Sequence, residues 1–439
     1  MKIVIDSTTY TTLRNLQFAS NTDITAQELP INEFSVDIRT DSDIASGQYA
    51  YLYNDDDTLW AKYWIIDTLW YNDKYLTIRA QSDLLLLSRA KLPAKMFTLS
   101  SAVTQIQNLF TASGLDVTID SALNSTTISG YAPEQTARER LQWICFVIGA
   151  YIQTDFSDRT KITAISSNTA RAALNNIVYY RPQVQYNDWV TGIRLYAYNY
   201  FEGIPGTTDT YVQEKINDVV HTYIQSEQVY TITNTEAPAT APENVIEIQD
   251  VTLITYGSGS TTPNDILTRL SGLYFKRAEV TADIINNGEF TAGDEVILDD
   301  GTGQIVVGYI SGTDFSFGHD HKSSITISQA DVSEGVELII IAEDDGNEIG
   351  RDTFYLPSGY AYNIQNRYIG SAGFEDVGED KVYKKTLYRP VNESASGTVG
   401  NDTTINTQEY DIALENSNGI LAVWIVDEVS ENNGVVIIK

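Results

Sequence analysis

His319, Asp320 and His321 form the densest histidine cluster in a chain that holds three histidines, with Asp314 five residues upstream. Two imidazoles one residue apart share a face when the segment is a strand, and neutral ring nitrogens on one face are a metal-binding arrangement. The surrounding GHDHKSS also fits a plain hairpin loop. His319 and His321 therefore stand as metal-ligand candidates beside that simpler reading. His221 lies alone in a strand-like stretch. Cys145, in WICFVIGA, has no histidine near it in sequence and reads as a small buried hydrophobe rather than a nucleophile. Residues 54–57 (NDDD) and 344–346 (DDG) resemble calcium loops faintly. They lack the alternating carboxylates and the distal bidentate glutamate, so turn chemistry accounts for them. The sequence contains no GxSxG, Walker A, GxGxxG, HExxH or CxxC pattern. With 59 acidic residues, any chosen pair of carboxylates for glycoside hydrolysis is uninformative. The residues thus name no catalytic group, call for no cofactor, and argue against an enzyme.

The elements that would position chemistry are mostly strands. One stretch stands apart, residues 133–165. Ala137, Leu141, Ile144 and Ile148 fall on one face of a 3.6-residue repeat. Glu134, Arg138, Glu139, Arg140 and Gln142 take the other. Pro133 suits a first turn and Gly149 a left-handed stop. Two short strands, at 151–154 and 161–165, flank a polar turn at 155–159. This helix-plus-hairpin unit reads as a divider between two β-rich regions.

Composition supports that reading. The chain has 28 tyrosines and frequent Thr, Ile and Val, which favour strands. Its 42% hydrophobic content is enough for real cores. The single cysteine excludes an internal disulfide. MKIVIDSTTY breaks its apolar run at Asp6, unlike a signal peptide, and no run reaches the roughly 18 residues of a membrane span. The net charge of −31 argues against a protein that wraps nucleic acid, since no Lys/Arg stripe is present. It is compatible with a pore, whose negative wall keeps a polyanion from sticking.

The fold class expected is mainly β with a small α/β insert, organised in four parts. Residues 1–90 read as a first barrel, with Phe34, Val36 and Ile38 alternating inward and an aromatic run from Trp60 to Tyr75. Residues 91–175 form the α/β subdomain, with a linker at 91–97 and a helix at 101–113. Residues 176–335 resume the strands, with one helix at 263–278, and read as a second barrel. Residues 336–439 form a β-rich accessory domain, with an exposed Ser/Gly/Thr/Asn-rich loop at 392–404. Tyr355, Tyr360, Tyr362, Tyr368 and Trp424 in that domain are available either for sugar stacking or for cross-strand packing.

The order barrel, helix-and-hairpin insert, barrel resembles the hub proteins of phage tail tips and contractile baseplates, typified by the T4 baseplate hub. The residues that carry the resemblance are YAYLYNDDDTLWAKYWIIDTLWYNDKYLTIRAQSDLLLL (49–87), the helix ending in SGL (101–115), ARERLQWICFVIGAYIQTDFSDRTKITAI (137–165) and EFTAGDEVILDDGTGQIVVGYI (289–310). The resemblance implies two barrels per subunit in a homotrimer. Six barrels then make a pseudo-sixfold ring that joins the tail tube, or a distal tail protein, to a threefold tip or spike. A central channel passes DNA and the tape-measure protein. The location implied is the virion tail tip or baseplate. No catalytic residue is implied. LIIIAEDDGNEIG, SGYAYNIQNRYIG and GILAVWIVDE in the last domain resemble mucin-binding-type β-grasp repeats, which would imply a host-surface glycan contact. The alternative reading is accordingly a glycan-binding surface adhesin. A cell-wall hydrolase is a third, with no motif behind it.

Overall fold

The computed structural model describes all residues except 54–56, 58, 154–159, 173–181, 258, 260, 286–289, 317–321, 345–346, 366–368, 378–379, 392–393, 399–409, 416–420, 427–428, 433–434 and 439. The chain is mainly β with few helices and a curled half-barrel sheet. It divides into two compact units. The first comprises residues 1–169, 184–295 and 309–330; the second comprises 170–183, 296–308 and 331–439.

In the first unit, seven strands open the fold: β1 (Lys2–Ile5), β2 (Thr8–Tyr10), β3 (Leu13–Asn21), β4 (Glu33–Arg39), β5 (Tyr49–Tyr53), β6 (Leu59–Asn72) and β7 (Tyr75–Gln81). Their order in the sheet is β3-β4-β7-β6-β5-β1-β2. Alternation along β4 sends Phe34, Val36 and Ile38 inward as the sequence predicts, opposite Ala80, Ile78 and Leu76 of β7. These residues join Ile3, Ile5, Trp60 and Tyr63 in one core cluster. The sheet does not stop at β3. Residues 312–316 of the strand Gln304–Ser316 pair antiparallel with residues 17–21 of β3, setting Phe315 against Phe18. The two rings stack with centroids 4.4 Å apart, inside the same cluster. Lys322–Glu334 and Ala278–Ile285 continue the sheet beyond that strand.

Four helices occur among the described residues of this unit: α1 (Leu84–Leu87), α2 (Ala102–Ala112), α3 (Ala137–Ile148) and α4 (Pro263–Tyr274). Pro133 is not in the first turn of α3. The helix starts at Ala137, because Thr136 and Glu139 form a capping box. The Glu139 amide donates to Thr136 Oγ1 at 3.2 Å, and the Thr136 amide donates to Glu139 Oε2 at 2.7 Å. That box satisfies two orphan donors, whereas Pro133 would satisfy none. Gln135–Thr136 stays extended and pairs with Lys91–Leu92, so part of the expected linker is strand, as is Lys95–Ser101. Gly149 closes α3 in the left-handed region at φ 72°, as expected. Arg140 is not on a solvated face. It is buried, and its guanidinium donates to the Pro93 and Pro133 carbonyls at 2.8 and 2.9 Å. Arg138 likewise donates to the Leu29 carbonyl, and Arg269 of α4 to the Phe146 and Val147 carbonyls at the end of α3. Guanidinium groups therefore clasp the helix by its neighbours' backbone and its own C-terminal carbonyls.

After α3, Ala150–Gln153 and Thr160–Ala164 pair antiparallel; the intervening polar turn lies outside the described residues. A separate four-stranded sheet holds Thr210–Ile216, Val219–Thr233, Gly192–Glu202 and Val245–Ile248, in that order. At its base Ile193, Leu195 and Ala197 share a core with Ile266, Leu267 and Leu270 of α4 and with Leu141 and Ile144 of α3. The expected strand at 177–180 lies outside the described residues.

In the second unit, Val336–Asp344 runs between Asn347–Leu356, antiparallel, and Val435–Ile438, parallel. Asp380–Val391 lies between Ile369–Val377 and Tyr410–Glu415, with Leu421–Val426 beyond. The expected loop at 392–404 contains a strand. Ser394–Thr398 pairs with Ala361–Gln365, because a ladder needs only backbone groups and a small polar sequence supplies them. The turn after Val296–Asp299 is held by its own carboxylates. Asp299 accepts from the Gly301 and Tyr355 amides at 2.6 and 2.9 Å, and Asp300 accepts from the Thr302 amide at 2.8 Å.

Candidate functional site

The curved sheet of the first unit carries an open groove of about 750 Å³. Strand register builds it. An inward row runs Ala80–Phe34–Phe18–Phe315 across four strands. One residue along, side chains turn to the other face. Arg79 sits opposite Ser35, Ser35 opposite Gln17, Gln81 opposite Glu33, and Ala19 opposite Asp314. Farther on, Asp283 opposes Ser324. Small residues, Ala19, Ser35 and Ser324, leave depth, and longer polar side chains wall it. Gln81 Nε2 donates to Glu33 Oε1 at 3.2 Å.

Among the described residues the groove is lined by Glu33, Asp283, Asp314 and Arg79 as its charged groups, with no histidine or cysteine. The sequence could not reveal it, because its residues come from seven separate strands and converge only through register.

Among the described residues, those singled out in sequence do not converge. His319 and His321 lie outside the described residues; Asp314 lines the groove. His221 Nδ1 is 2.8 Å from Glu202 Oε1, on the four-stranded sheet. Cys145 is fully buried in the core, and burial pushes its thiol up to about 12. The acidic turns at 54–57 and 344–346 lie largely outside the described residues; Asp57 pairs with Lys2 at 2.5 Å. Among the described residues no group of three or more His, Cys, Asp and Glu is placed to hold a metal. The Tyr355 amide is tied to Asp299, and the Tyr360 hydroxyl accepts from the Ala172 amide at 2.8 Å. Tyr362 and Trp424 belong to paired strands, and Tyr368 lies outside the described residues. No described helix is long and apolar enough to cross a membrane.

The fold is similar to that in the crystal structure of the tail protein from Neisseria meningitidis MC58. The TM-score is 0.52 at 11% identity, over 74% of this chain and 95% of that one. The likeness is one of fold. The 43 kDa tail protein of prophage MuSo2 from Shewanella oneidensis is similar at a TM-score of 0.48 and 10% identity, over 74% of this chain and 97% of that chain. Prophage tail protein gp18 from Listeria monocytogenes EGD-e is similar at 0.49 and 11%, over 75% of this chain and 94% of that chain. No family model and no curated protein matches the sequence.

Proposed function

We propose that this chain is a structural, non-enzymatic component of a phage tail, acting as the hub of the tail tip or baseplate. In this reading it is a homotrimer. Its two strand-rich regions form a pseudo-sixfold ring that meets the tail tube or distal tail protein on one side and the tip or spike on the other. DNA and the tape-measure protein pass through the centre without sequence-specific contacts. The observation that carries the reading is the fold shared with the Neisseria tail protein along nearly its whole length. Two properties of this chain agree with it. The charge of −31 suits a channel wall that must release a polyanion. The groove on the curved sheet, lined by Glu33, Arg79, Gln81, Asp283 and Asp314, suits contact with a polar partner surface. Residues 336–439 act as an accessory domain at the distal end, and His319 and His321 keep their standing as metal-ligand candidates.

The test is the solution mass of the full chain across a concentration series, with negative-stain images of the same samples. Rings of three subunits with a central hole are expected. A single-subunit mass at every concentration, with glycan binding that is lost on deleting residues 336–439, would replace the hub reading with an adhesin. A basic lumen in the ring would overturn the electrostatic part.

A further inference from the structure

The groove on the curved sheet runs across its strands rather than along them. Its lining extends from Ile66 on β6, over β7, β4 and β3, to Asp314 on Gln304–Ser316, Ser324 on Lys322–Glu334 and Asp283 on Ala278–Ile285. Six steps between neighbouring strands, at about 4.8 Å each, make a path of roughly 29 Å along the sheet. An extended segment of about nine residues has that reach.

The two ends of the path differ in chemistry. Ile66 marks the apolar end, and a β-bulge puts it there. Ile65 opposes Ala80 and Asp67 opposes Arg79, which leaves Ile66 as the extra residue between them. The bulge breaks the alternation, so Ile66 and Asp67 are both exposed after the buried Ile65. Ile66 is 40% exposed on the groove wall.

The path then turns acidic. Asp314 opposes Ala19, and Phe18 opposes Phe34, so the next step along the same ladder brings Ala19 to Glu33. Glu33, Ala19 and Asp314 thus form one row over three strands. The two carboxylates stand two strand spacings apart, roughly 10 Å, with only a methyl group between them. Asp283 lies beyond, opposite Ser324. Among the described residues no cation pairs with the Asp314 carboxylate, and the Glu33 carboxylate is held by the Gln81 amide alone. Arg79, the guanidinium of the lining, faces Asp67 across the ladder.

These features fix the kind of occupant. A second copy of a chain of net charge −31 would bring more acid to an acidic wall, and a polyanion would do the same. A cationic segment gains from the charge, and the methylene stems of Lys and Arg suit the small side chains beneath them. We propose that the groove docks an extended basic segment of a partner protein. A lysine or arginine sits over Ala19 between Glu33 and Asp314, and an apolar residue packs on Ile66. Three strand spacings separate these two points, about 14 Å or about four residues of extended chain. The proposal rests on the polar-contact role given to the groove above and names the partner chemistry.

The experiment uses the full chain. A displayed library of random nine-residue peptides is selected on wild type, and an enriched peptide is synthesised with a fluorescent label. Lys or Arg is expected at a fixed position, with an apolar residue about four positions away. Binding should weaken with added salt. It should be about tenfold weaker in Glu33→Gln/Asp314→Asn. Both residues are exposed, so the core is untouched and circular dichroism should not change. Glu243→Gln, at an exposed acid outside the groove, should bind as wild type does. Thiol protection supplies a readout that does not need the double variant. Cys145 is buried, so Ser35→Cys in the groove provides an accessible thiol. Saturating peptide should slow its maleimide labelling and leave that of Glu243→Cys unchanged. An empty selection, enriched peptides without a basic residue, equal binding to the double variant, or unprotected Ser35→Cys overturns the proposal. A lower solution mass for the double variant also overturns it, by making the groove a contact between copies. Rings without peptide binding leave the hub standing and remove this docking site. Peptide binding by a chain that never exceeds one subunit does the reverse.

Discussion

Gly293→Ala tests whether the packing around the buried Tyr151 ring is as tight as the structure has it. Gly293 has φ of 97°, and a Cβ built on it would lie 2.2 Å from Tyr151 Cε2. The ring cannot step aside. Tyr151 is fully buried, its hydroxyl donates to Asn168 Oδ1 at 3.0 Å, and Asn168 Nδ2 donates to the Gly293 carbonyl at 3.0 Å. The Gly293 amide is itself held by the Ile310 carbonyl at 2.7 Å. Two costs add: about 1–3 kcal/mol for overpacking and about 1–2 kcal/mol for a backbone conformation that L-residues avoid. The lower entropy of the unfolded alanine chain does not offset them, because the native φ is incompatible. A loss of about 3 kcal/mol is expected. The assay is urea unfolding followed by tryptophan fluorescence, since Trp60, Trp64, Trp70, Trp143 and Trp189 all belong to the first unit. An unchanged m-value licenses the comparison. In a Tyr151→Leu background the steric part should vanish, leaving the backbone cost of about 1–2 kcal/mol; the difference between the two backgrounds, about 1–3 kcal/mol, is the coupling between the two sites. A cost within about 0.5 kcal/mol of zero, or the same cost in both backgrounds, would refute the reasoning.

Three further outcomes follow from individual contacts. Glu139→Ala should destabilise by about 0.5–1 kcal/mol at neutral pH through the lost capping box. Backbone and hydroxyl donors of Thr136 hold the Glu139 carboxyl below its ordinary value of 4.5, so its contribution is complete above that value. It is lost as pH falls through the folded-state value, and the gap between wild type and variant in pH-dependent unfolding should close on the acid side. Cys145 should give no reaction with a thiol reagent at pH 8 until denaturant is added, and one thiol per chain afterwards, because burial both raises its pKa and blocks access. Asp218→Gly should protect the amides of residues 210–225 in hydrogen exchange, by about 0.5–1 kcal/mol. Asn217 and Asp218 sit at φ 48° and 66° in a two-residue turn closed by Ile216 and Val219, where glycine relieves the second position.

What the sequence made legible is what depends on near neighbours. The alternation of Phe34, Val36 and Ile38 needs only a pleat, and the start of α4 needs only Thr262, Pro263 and Asp265 in a row. The sequence reading starts α3 with Pro133 in the first turn; the structure starts it at Ala137, where the Thr136–Glu139 box satisfies two backbone donors. Arg140 could not be placed by periodicity, since its partners are carbonyls at 93 and 133 that only the fold brings near. The same limit hides the groove. Asp314 meets Ala19 across nearly three hundred residues, and no local pattern reports such a pairing. Phe201, exposed on the four-stranded sheet, shows a subtler limit. In sequence, Leu195 and Phe201 are two apolar residues an even number of positions apart, and nothing local tells them apart. A pattern of this kind records that a face will be covered, not which chain covers it. The coordinates separate the two: α4 covers Leu195, and nothing described in this chain covers Phe201. Apolar alternation that outruns its own core is thus a physical statement about assembly, and it asks for a partner surface as plainly as Leu195 asks for α4.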